Sequence, residues 1–157
     1  MPAFDKLELQ IQHEILERIE LRRRNSAEGA SILLVGDRPA PSAPRDPRLH
    51  VPFGALKNSS LYINMALQAA KINEAELSWV NAADARGVPT EYQILELPWK
   101  HIIALGNKAA AWLKKSPQHP HFVTVHHPAA WKRFHSKEPY PLIELIGTRL
   151  STEHRAV

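Results

Sequence analysis

The stretch "SILLVG" (Ser31–Gly36) is short, continuously apolar and stopped by a glycine. Such a run reads as a strand buried on both faces, as in a parallel sheet covered by helices. Three more runs have the same form: "LSWVNA" (Leu77–Ala82), "HIIALG" (His101–Gly106) and "HFVTVH" (His121–His126). Helical segments fall between them, near Ser60–Ile72 with Ser59 or Ser60 as cap, and at "NKAAAWLKK" (Asn107–Lys115). "PYPLIELIGTRL" reads as a closing helix. Strands alternating with helices predict an α/β fold, a three-layer α/β/α sandwich around a central four-stranded parallel sheet.

Upstream, Leu7, Ile11, Ile15 and Ile19 recur at helical spacing from Asp5 to about Arg24. This predicts an amphipathic helix within residues 1–27, with the core over 28–157. Its closing triplet Arg22–Arg24 suits the negative end of the helix dipole. With 157 residues, 44% apolar and 23% charged, the chain is expected to form one domain, 1–157. It has no cysteine, which excludes disulfides, thiolate metal sites and a cysteine nucleophile. No apolar run is long enough to span a bilayer, and charges run through the N-terminus without a signal-peptide pattern. A cytoplasmic, monomeric protein is the expectation.

Charge is unevenly divided. Residues 1–97 carry 11 Lys/Arg against 13 Asp/Glu, whereas residues 98–157 carry 9 against 3 and seven of the nine histidines. The basic half suits a polyanionic partner. "RPAPSAPRDPRLHVPF" (Arg38–Phe53) contains five prolines and fits no inner strand or regular helix. It begins at a strand's C-terminal end, where open α/β sheets bind ligands. The functional edge should therefore gather Gly36–Phe53, Asn81–Gly87, Gly106–Asn107 and His126–Arg133.

Five segments at these strand ends, in order, resemble the uracil-DNA glycosylase superfamily: "VGDRPAP", "VPFG", "WVNAADARG", "HIIALGNKAAAWL" and "VTVHHPAAW". The resemblance covers about Ile32–Arg133. It implies a monofunctional DNA glycosylase that flips a pyrimidine out of DNA, hydrolyses its N-glycosidic bond and leaves an abasic site. His127 matches the histidine that stabilises the departing base; read alone, it is equally a strand-end cap. Asp37 is the candidate for orienting water, because Arg38 stands where many members carry Asp or Asn and cannot act as a base. Gly36, Arg38, Ala40, Phe53 and Asn81 are the implied base-binding positions. Asn81 offers a donor and an acceptor to a pyrimidine edge, or else serves as a turn residue. Phe53 stacks on the base or belongs to the core.

Ala40 replaces a tyrosine that closes the pocket in strict uracil enzymes, so a modified, 5-substituted or glucosylated base is admitted. The settings implied are DNA repair or antiviral defence against modified phage DNA. Trp131 occupies the wedge position in the duplex, followed by Lys132 and Arg133 as phosphate contacts; its alternative is packing against "PYPLIEL". No cofactor follows from this chemistry. The histidines between His119 and His135 lack the carboxylates or thiolates of a zinc site, so no metal is expected. The rival readings are a non-catalytic DNA-binding protein of the same fold, or a phage-type base-modification enzyme or nucleotide hydrolase.

Overall fold

The computed structural model describes residues 9–10, 13–14, 16–17, 20, 31–38, 58–73, 76–84, 86–135 and 138–155. The described residues between Leu9 and Glu20 are helical; Leu7, Ile11, Ile15 and Ile19 lie outside the described residues, as do Ala40 and Phe53.

Four strands form one parallel sheet: β1 (Ile32–Gly36), β2 (Leu77–Asn81), β3 (His101–Leu105) and β4 (Val123–Val125). Their order is β2-β1-β3-β4. Ile32 pairs with Leu77 on one side and His101 on the other, while Ile103 pairs with Val123. All five residues of β1 are buried, as expected of a central strand covered on both faces. β4 is shorter than the run His121–His126 because it is an edge strand, with Val123 and Thr124 exposed.

Alternation along β1 sends Ile32 and Leu34 to one core layer and Leu33 and Val35 to the other. The first layer packs on α1 (Asn58–Ala69) and α4 (Pro141–Arg155) through Ile63, Leu67, Leu142 and Ile146. The second packs on α2 (Asn107–Lys114) through Ala109, Ala110, Trp112 and Leu113. The crossover rule explains the division. The β1-to-β2 and β3-to-β4 connections move in opposite directions across the sheet, so right-handed crossovers put their helices on opposite faces.

Three local readings change. α1 starts at Asn58, so Ser59 and Ser60 are inside its first turn rather than capping it. It stops at Ala69, short of Ile72, because Lys71 takes a left-handed conformation (φ 56°). The Lys71 and Ile72 amides then bond back to the Gln68 and Leu67 carbonyls, a Schellman stop. "PAAWKRFH", where no helix was expected, forms α3 (Pro128–His135), with proline at the first helical position, where its missing N–H costs nothing.

Candidate functional site

The chain leaves β1 toward β2, returns, and lays β3 on the other side of β1. That reversal opens a crevice beyond the C-terminal ends of β1 and β3, the place where open α/β sheets take ligands. Gly36–Asp37 and Gly106–Lys108 border it, and β4 delivers His127 beside them.

His127 is set by close backbone contact. Gly106 has φ 105°, and a Cβ on it would lie 3.0 Å from the His127 Cβ. Glycine here supplies both the backbone conformation and the space. The Ala129 N–H donates to His127 Nδ1 at 3.1 Å, which makes Nδ1 an acceptor and leaves the imidazole proton on Nε2. Burial lowers the His127 pKa below its ordinary value; the Asp37 carboxylate opposes this, and the Lys108 ammonium adds to it. The ring is therefore a neutral imidazole that donates through Nε2.

Lys108 Nζ lies 3.7 Å from Asp37 Oδ2. A cation in the first turn of α2 opposes the helix dipole. Asp37, reaching from the end of β1, offsets that charge. The lysine is 75% exposed, so the pair positions the carboxylate more than it stabilises the fold. Lys108 was legible only as this oddity of "GNK", a lysine where helices favour acids.

Supporting contacts run through the segment that carries His127. The Tyr140 hydroxyl donates to the His126 carbonyl at 2.5 Å. Burial, with a smaller contribution from Tyr62, pushes the Tyr140 pKa far up, so the hydroxyl keeps its proton. Trp131 corrects the sequence reading. It is 8% exposed, part of the apolar layer with Tyr140 and Leu142, and its indole N–H donates to the Glu138 carbonyl at 3.2 Å. A side chain held this way packs toward the closing helix and does not project as a wedge. Among the residues of α3 whose burial is described, Ala129, Ala130, Lys132 and Arg133 are the exposed ones.

The remaining positions divide. Gly36 is buried, in register with Asn81, and its carbonyl accepts the Ala82 N–H. Asn81 is half-buried at the same edge, but alternation puts its side chain on the Trp79 face. Arg38 is exposed beside Asp37. The Asp84 carboxylate accepts the backbone N–H groups of Arg86 (2.8 Å) and Val88 (3.0 Å), tying the loop after β2.

Two clefts open along this edge. One, of about 430 Å³, is lined by Gly106, Asn107, Val125, His126, His127 and Ala130. The other, of about 330 Å³, has Asp37, Arg38 and Lys108 in its wall. Asn81 lines neither of the two. Among the described residues, no three His, Cys, Asp or Glu side chains converge as metal ligands, and no helix is long and apolar enough to cross a membrane. The fold and site thus define an α/β protein with a neutral histidine, a carboxylate and an ammonium at the switch point of a parallel sheet. No protein-family model and no curated protein matches this chain.

Proposed function

We propose that the chain is a monofunctional DNA glycosylase that hydrolyses the N-glycosidic bond of an extruded pyrimidine nucleotide. The observation that carries this reading is the Ala129 N–H on His127 Nδ1, which leaves Nε2 as the donor, with burial favouring the neutral ring and the Asp37 carboxylate close enough to act on it electrostatically. Breaking the C1′–N1 bond sends its electron pair to the base and leaves an oxocarbenium-like sugar. A neutral N–H donor aimed at the base oxygen stabilises that developing anion. Asp37 orients the water that adds to C1′ and takes up its proton, while Lys108 keeps the carboxylate in place. The 430 Å³ cleft beside His127 is within the usual size of small-ligand pockets. Lys132 and Arg133, exposed on α3, supply phosphate contacts.

The substrate we favour is a modified pyrimidine, 5-substituted or glucosylated, because Arg38 and Ala40 depart from the residues of strict uracil excision. DNA is the partner, with the protein acting as a cytoplasmic monomer in DNA repair or antiviral defence. The reading is tested with the variants His127→Ala and Asp37→Asn. Each is expected to slow abasic-site formation by about 10²–10³-fold while DNA binding stays within a small factor of wild type. Equal losses of cleavage and binding would assign both residues to docking and end the catalytic assignment.

A further inference from the structure

We infer that the 330 Å³ cleft between the loop after β2 and helix α2 is a second subsite, which takes a phosphate-bearing nucleotide next to the His127 site. Among the described residues of its wall, three cations, Arg38, Lys108 and Lys115, stand against one carboxylate, Asp37. Lys108 is within ion-pair distance of that carboxylate. The lining thus keeps a net positive charge, carried by Arg38 and Lys115, both exposed. Positive charge in a concave site of this kind recruits an anion.

The rest of the wall suits a flat, apolar-faced ring. Tyr92 and Trp112 stack with centroids 4.8 Å apart and 25° between their planes. They are fixed before any ligand arrives. The Tyr92 hydroxyl donates to the Trp112 carbonyl, and the Trp112 indole donates to the Thr90 carbonyl, both at 2.8 Å. Small residues, Ala82, Ala83 and Ala111, leave the space open. The loop side is held by Asp84, and the Ala83 N–H donates to the Asp37 carbonyl at 2.9 Å. Trp112 is buried beneath this stack, and half-buried Tyr92 supplies the accessible aromatic surface; an aromatic face rimmed by cations holds a base and its phosphate without reading sequence.

Asp37 belongs both to this wall and to the candidate catalytic group, so a nucleotide here is a neighbour of the one at His127. The identity of that nucleotide as part of a DNA strand rests on the glycosylase reading; the nucleotide chemistry of the cleft does not. Two variants probe it from different directions. The double change Arg38→Gln with Lys115→Gln removes charge, and Ala111→Trp, at an exposed position, fills the space.

The probes are a short fluorescent single-stranded deoxyoligonucleotide without modified bases, and free deoxycytidine monophosphate. Binding of the oligonucleotide is expected to weaken roughly tenfold in each variant, about 1.4 kcal/mol. The salt slope should fall by about 0.7 per cation removed in the double variant and stay unchanged in Ala111→Trp. The same sensitivity seen with the free nucleotide but not the oligonucleotide also supports the subsite, and names a mononucleotide as its occupant. Wild-type affinity for both probes in both folded variants would overturn the proposal. Because neither probe carries an excisable base, this outcome is independent of whether the protein cleaves DNA.

Discussion

The two faces of the sheet both carry aromatic rings but differ in their small residues. On one, Trp79, Trp131 and Tyr140 join Ile and Leu side chains in the layer beneath α1 and α4. On the other, Ala82, Ala104, Ala109 and Ala110 stand where α2 meets the strands, with Trp112 among them and Tyr92, Trp99 and Phe122 packed against that layer. On the first face Trp131 and Tyr140 anchor helix α3 and the turn before it, through the indole bond to the Glu138 carbonyl and the hydroxyl bond to the His126 carbonyl. Small groups let α2 approach the second face closely, which brings its first turn within reach of Asp37. One layer therefore fixes the histidine and the other fixes its charged neighbours.

Breaking the aromatic face should have the largest effect. Trp131→Ala is expected to cost about 3–5 kcal/mol of stability, read by urea unfolding. A variant of wild-type stability that had lost DNA affinity would instead return Trp131 to the role of a wedge. The alanine face is tested by Ala109→Leu, at a position with no exposed surface. Overpacking there should cost about 1–3 kcal/mol and, by displacing α2, reduce cleavage at temperatures where the protein is still folded.

These expectations bear on what the sequence could and could not disclose. All four strands were legible because a strand buried on both faces must be apolar throughout, as in "SILLVG" and "HIIALG". Helix α3 was hidden by the Pro128 that starts it, since a proline after two histidines reads more readily as a turn. Trp131 was ambiguous for a physical reason: an aromatic ring beside two cations suits a DNA edge and a helix's inner face equally. Burial against Tyr140 and Leu142 decides between them, and burial is a property of the fold. The Asp37–Lys108 pair joins residues from two strand ends, so spacing along the chain gave no sign of it. His127 was singled out by its motif, but its tautomer required the Ala129 amide.

A smaller effect sharpens the link between the aromatic face and the histidine. Tyr140→Phe removes the hydrogen bond to the His126 carbonyl and should cost about 1 kcal/mol. Cleavage should fall with substrate affinity retained, because the change reaches the substrate only through the position of His127. An unaltered rate would show that the aromatic face does not set the position of His127.

The mildest test is pH. Burial makes the folded state favour neutral His127, so the folded protein binds fewer protons than the unfolded chain in the range just below the ordinary histidine pKa. Stability should therefore fall as pH drops from about 6.5 through the lowered folded value. His127→Gln should remove that part of the pH dependence in thermal melts. In cleavage, the acid limb should lie below the ordinary histidine range if the neutral ring is the donor, as proposed.

The most direct measurement is abasic-site formation, scored by alkaline strand scission, on oligonucleotides carrying uracil, 5-hydroxymethyl or glucosylated pyrimidines. The account predicts scission at one modified pyrimidine by the wild-type protein and its loss in His127→Ala. Intact strands across the whole panel, with DNA still bound in a salt-dependent manner, would contradict it and leave a binding protein in place of an enzyme.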